Sequence, residues 1–253
     1  MPVGTKLTKA LRGVFKKQRA AVLSAIKKAT KALDKTPDWF DQLAWDKALI
    51  AAARPAVQLY VDKGGKDALA RLGFSDAFNV TAPNVKEAID KTTFDLSTAT
   101  NATTRLQLDK AYAKLAEDLT AGIIAGENTV KQLTEAVNAI FENADKKRAQ
   151  KIAQTESSRA VHRGQRMAAL QSGVVKGFKL LLSTDPCKLC IEVAIRHKQG
   201  ISLDGTFGEA STYKHGSKSE HPTYGTFDVP PLHPDCQCTL VEIIDTAALK
   251  KEA

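Results

Sequence analysis

Apolar positions recur at three- and four-residue steps as far as about residue 170, then give way to short β-rich runs. Leu7, Leu11, Val14, Phe15, Val22, Ile26, Ala29 and Leu33 form the first stripe and predict an amphipathic helix over residues 6–33. Thr36-Pro37-Asp38 stops that helix, with Asp38 as N-cap of a second one starting at Trp39. The second pattern runs to about Ile50, kinks or restarts at Arg54-Pro55, and is expected to break at Gly64-Gly65 before Leu72. Trp39 and Trp45 read as core anchors. Residues 73–84 read as a loop, and Asn84 as the cap of a helix from Val85 to about Leu96. The threonine-rich run Ser97–Thr104 predicts a break, because hydroxyl side chains compete for backbone hydrogen bonds. Helices resume over Arg105–Ile124 and Thr129–Phe141, and Asn143 is the expected N-cap of a last long helix to about Leu170.

Beyond Ser172-Gly173 the residues Val174–Ser183 and Thr239–Ile244 read as two strands. Ile191–Arg196 reads as a short helical turn or strand, and Gly200–Pro231 as a glycine- and proline-rich loop. The expected class is α+β, a long all-α N-terminal region followed by a small zinc-stabilised C-terminal domain with a few β-strands. Its expected parts are a basic amphipathic N-terminal helix or arm (1–36), a helical region (37–143) and the C-terminal domain (144–253).

Composition narrows the class. A chain of 253 residues with 43% hydrophobic and 26% charged content suits a globular protein with a real core. Its apolar runs fall far short of the about 18 residues of a membrane span. No N-terminal segment joins an apolar core to a small-residue cleavage site, which argues against export. Residues 1–36 hold ten Lys/Arg against one acid, Asp34, and so account for the whole net charge of +9. Lys6, Lys9, Arg12, Lys16, Lys17, Arg19, Lys27 and Lys28 lie off the apolar stripe and are the candidate contacts to a polyanion or an acidic protein surface. A solvated face and a membrane-surface face are the competing readings of the same charges.

All four cysteines fall in two short segments, Asp185-Pro186-Cys187-Lys188-Leu189-Cys190 and His233-Pro234-Asp235-Cys236-Gln237-Cys238. Two close pairs with a nearby histidine follow the arithmetic of a tetrahedral zinc site. Such an ion would pin the two strands and offset the closure cost of the long insertion between them. Five candidates compete for four positions: Cys187, Cys190, Cys236, Cys238 and His233. Four thiolates are the default set, but the tight Cys236-x-Cys238 spacing makes His233 a substitute ligand. A closed set is structural and an open one catalytic. His162, His197, His215 and His221 read as ordinary surface or loop residues; Thr155-Glu156 reads as a buried polar pair or a catalytic acid, against the commoner case of a solvated or salt-bridged helix glutamate. The chain carries no phosphate-binding glycine loop, no serine nucleophile elbow and no HExxH pattern.

Residues 148–170, with Ile152-Ala153-Gln154-Thr155-Glu156 inside them, precede Gly177-Phe178-Lys179, then Cys187-x-x-Cys190, then His233-Pro234-x-Cys236-x-Cys238. This order resembles the head morphogenesis (Mu F-like) minor head proteins of tailed bacteriophages, over roughly residues 130–245. Phe178 stands where that family would be expected to carry tryptophan. The resemblance implies a non-enzymatic virion component in the phage head or at the portal vertex, assembled in the bacterial cytoplasm. Its implied partners are the portal, other capsid components and, through residues 1–36, DNA contacted without sequence preference. A toxin-like enzyme and a zinc-containing nucleic-acid module are the competing readings.

Overall fold

The first apolar stripe is buried as patterned. In the computed structural model, which describes residues 4–28, 40–74, 78–121, 129–215 and 225–248, Thr5–Lys28 form helix α1. Leu7, Leu11, Val14, Phe15, Val22 and Ile26 are each at most 5% exposed. Ala29, Leu33 and the proposed cap at Thr36-Pro37-Asp38, with Trp39, lie outside the described residues. The remaining helices are α2 (Gln42–Arg71), α3 (Pro83–Thr120), α4 (Thr129–Asn143), α5 (Ala149–Ser172) and α6 (Lys188–Arg196). The strands are β1 (Val175–Leu181), β2 (Ile201–Ser202) and β3 (Thr239–Ile244). The fold is therefore mostly helical with one small antiparallel sheet.

Two compact units emerge, Gly4–Pro55 with Thr93–Ala153 and Ala56–Thr92 with Gln154–Ala253. In the helical unit, α1 packs against α4, whose Leu133, Val137 and Phe141 are buried. The N-terminal helix is thus part of a core, because its stripe is too apolar to leave in water. The expected break at Ser97–Thr104 is absent and α3 runs straight through. Hydroxyls there bond back along the helix, Thr103 to the Ala99 carbonyl at 2.8 Å and Thr104 to that of Thr100 at 3.0 Å. The same polar run faces inward, where Gln18 donates to Asn101 at 2.8 Å and Asn101 donates to Asp46 at 2.7 Å.

Asn143 is not an N-cap. Its φ of −66° and ψ of −41° are helical, it makes no capping bond, and the π-turn Ala144–Arg148 carries α4 into α5. That turn directs Arg148 inward, over the Phe15 ring at 5.6 Å and onto the Thr100 carbonyl at 2.6 Å. Burial lowers its pKa to about 10.

Helix α2 continues through Gly64-Gly65, where a break was expected, and through Pro55, where a kink or a restart was expected. Asp41 caps it, accepting from the Ala44 N–H at 3.0 Å. Trp45 is only half-buried, with its ring centroid 6.3 Å from that of the buried Phe40. The glycines serve a close helix approach: a Cβ at Gly64 would strike the Val161 carbonyl of α5, and one at Gly164 would strike the Val61 carbonyl of α2. Helix α3 begins at Pro83, one residue before the expected cap Asn84, in the first-turn position that suits a proline.

The sheet order is β2-β1-β3, both pairings antiparallel, with Leu180 opposite Leu240 and Leu181 opposite Thr239. Two α-helical side chains close the outer edge of β3: Gln165 donates to the Leu240 carbonyl at 3.0 Å, and Arg71 pairs with Glu242 at 3.2 Å. Phe178, Leu180, Leu189, Val193, Phe207, Tyr213, Phe227, Val229, Leu232 and Leu240 form the core under this sheet. Four of these lie within the stretch read as loop, Gly200–Pro231. That stretch is held by its own aromatic core and by short backbone pairs, such as Phe207 N–H to the Phe227 carbonyl at 2.7 Å.

Candidate metal centre

The strand pairing brings the two cysteine segments together. Leu181 ends β1 opposite Thr239, which starts β3, so residues just after the one and just before the other must be neighbours. Asp185-Pro186 then leads to Cys187, which has extended backbone (φ −71°, ψ 164°) and caps α6. Its sulfur accepts from the Cys190 N–H at 3.5 Å, so the first helical turn sets the two sulfurs side by side. On the other side His233-Pro234-Asp235-Cys236 makes a tight turn. The Cys236 N–H donates to the His233 carbonyl at 3.1 Å, proline takes the second position, and Asp235 has the left-handed φ of 65° that the third requires. The turn aims His233 and Cys236 at the start of α6.

The five candidate ligands therefore meet. His233 Nε2 lies 3.1 Å from Cys187 Sγ and 3.4 Å from Cys190 Sγ, and Cys190 Sγ lies 3.7 Å from Cys236 Sγ. Cys238 is gathered with Cys190 and Cys236, the three sulfurs lying within 4.8 Å of one another. None of the four cysteines is in a disulfide. His233 Nδ1 is 2.7 Å from the Pro234 carbonyl, which can only accept, so the proton sits on Nδ1 and the Nε2 lone pair faces the sulfurs. Hydrogen bonding to Cys236 and Cys238 and burial push the Cys190 thiol up, while bonds from Cys190 and Cys236 hold Cys238 down. Sulfurs this close cannot all ionise unaided, and a cation among them removes that conflict. The cluster is compatible with a metal site.

Comparison with known proteins found no matching family model, no matching curated protein and no matching solved structure. The reading rests on the site itself.

Spacing along α5 also carries a group that the motif reading passed over. Arg159, Arg163 and Arg166 recur at four and three residues, on one helix face, and each is at most 8% exposed. Arg159 and Arg163 reach Asp228 at 3.1 and 2.9 Å. Arg166 donates to the carbonyls of Leu203 at 3.0 Å, Asp228 at 2.8 Å and Gly205 at 2.6 Å. These guanidiniums tie Leu203, Gly205 and Asp228, which lie between the two cysteine segments, onto α5. Burial raises the Asp228 carboxyl, but Arg163 and Arg159 overcome it and hold the group at about 2. Thr155 and Glu156 are 6% and 4% exposed, a buried polar pair and not a solvated one, and His162, expected at the surface or in a loop, is 8% exposed with Nδ1 facing Gln165 at 3.1 Å. His197 meets the Tyr213 hydroxyl at 3.0 Å and His215 meets Glu192 at 3.0 Å, while His221 lies outside the described residues.

The basic face of α1 divides by residue type. Lys6, Lys9, Lys16, Lys17 and Lys27 are exposed. Arg12 instead pairs with Asp145 at 2.8 Å, and Arg19 donates to Asn138 at 3.0 Å. The Lys28 side chain lies outside what the structure describes. Among the described residues no helix is long and apolar enough to cross a membrane.

Proposed function

We propose that the chain is a minor head protein of a tailed bacteriophage, a non-catalytic component of the head or portal vertex. In it a structural zinc fastens the start of α6 to the turn before β3. The observation that carries the proposal is the gathering of the two cysteine segments. Segments that resemble the head morphogenesis family place Phe178, Cys190 and Cys238 in one core, beside which the five Cys/His donors lie in two groups that share Cys190. The donor set supports zinc, since clustered thiolate and imidazole ligands are those of structural zinc sites. A structural role fits a site whose sulfurs crowd one another, and no phosphate loop or nucleophile elbow accompanies it.

The lysine face of α1 supplies the contact to packaged DNA or to the acidic surface of the portal. Five exposed ammonium groups (Lys6, Lys9, Lys16, Lys17, Lys27) span a helix of 24 residues that contains no acid. Replacing all five by glutamine is expected to leave the helical fold intact, because each side chain is exposed. Retention on immobilised duplex DNA should weaken, and the slope of log affinity against log salt should lose up to about 4.5, at about 0.9 per phosphate contact. Unchanged retention would rule out the DNA contact. Mass spectrometry of purified particles of the encoding phage tests the wider reading: the chain is expected in them, and its absence from particles contradicts a virion role.

A further inference from the structure

The five donors do not converge on one point. Cys187, Cys190 and His233 lie within 4.8 Å of one another, and so do Cys190, Cys236 and Cys238, but no four of the donors among the described residues meet that limit. Ligands of one ion sit about 2.0–2.3 Å from it, so no two of them can be farther apart than about 4.6 Å. A single zinc therefore cannot take four of these donors where they stand. Cys190 belongs to both triads, its sulfur 3.4 Å from His233 Nε2 and 3.7 Å from Cys236 Sγ.

We propose that the cluster holds two thiophilic divalent cations bridged by the Cys190 thiolate. One is bound by Cys187, Cys190 and His233 Nε2, and the other by Cys190, Cys236 and Cys238. This rests on the metal-clamp reading above and extends it to a second ion. Charge favours the pair. Four thiolates and a neutral imidazole around one divalent ion leave two negative charges, beside sulfurs of which Cys190 is 1% and Cys238 2% exposed. Two divalent ions neutralise the set, and uncompensated charge at such burial is costly. Three protein donors leave each ion one position for water.

The test is native mass spectrometry of the full, reduced chain titrated with Cd2+ alone, with 113Cd NMR of the loaded protein. Two ions per chain and two resonances are expected. His233→Ala and Cys238→Ser are each expected to hold one ion. A single ion in the unsubstituted protein overturns the two-ion proposal and leaves the clamp standing. Binding of no ion overturns both. The stoichiometry is read on the unsubstituted chain, so a variant that fails to fold does not leave the question open.

Discussion

Replacing Asp228 by alanine is expected to cost about 3–5 kcal/mol, among the largest effects of any single substitution in this chain. The carboxylate meets two guanidiniums, and the side chains of both Arg159 and Arg163 are only 3% exposed. Removing it takes from both buried guanidiniums the carboxylate that they share, which is costlier than the net worth of the pair itself. Asp228→Asn keeps the hydrogen-bond acceptor and should cost less. The same pair sets an acid limit. The folded-state carboxyl is held at about 2, below its ordinary 3.8, so its contribution is complete above about pH 4 and is lost as pH falls toward 2. Thermal unfolding from pH 7 to pH 2.5 should show this loss in the native protein and a flatter profile in Asp228→Ala. Matching profiles would show that the arginine grip does not stabilise the fold.

The second large effect is expected at the crossing of α2 and α5. Gly164→Ala should cost at least about 2–3 kcal/mol, because the new methyl overlaps the Val61 carbonyl, and backbone in a helix cannot rotate away as a side chain can. Alanine is elsewhere the better helix former by about 1 kcal/mol. The sign of the change therefore separates packing from propensity, and a denaturant midpoint equal to or above that of the native protein would refute the close crossing. Gly64→Ala should behave alike, since its methyl would meet the Val161 carbonyl.

These two sites show where sequence was informative and where it was not. Periodicity located the buried stripe of α1 and the strands around Phe178 and Leu240, because burial on one face leaves a local pattern. It misplaced the breaks in α2 and α3. A glycine pair signals a turn only when no neighbouring helix needs the space. Threonines signal a cap only when their hydroxyls have no carbonyl one turn back and no inward-facing partner such as Arg148, which donates to Thr104 at 3.1 Å. Both conditions are tertiary, and the local sequence does not carry them. The gathering of Cys187, Cys190, His233, Cys236 and Cys238 was legible because cysteine spacing is chemistry. The division into triads was not, because it depends on the turn at Asp235 and on the β1–β3 register. Asp228 had no signal of its own in a glycine-rich stretch, although three arginines on one face of α5 implied that some acid must meet them.

The central claim is that a metal ion clamps the two cysteine segments. Elemental analysis of the purified, reduced chain, coupled to thermal unfolding before and after chelation, tests it most directly. The account predicts bound zinc, thiols that react slowly until it is removed, and a large fall in the unfolding midpoint on chelation. A metal-free chain with four reactive thiols and an unfolding midpoint indifferent to chelator would contradict it.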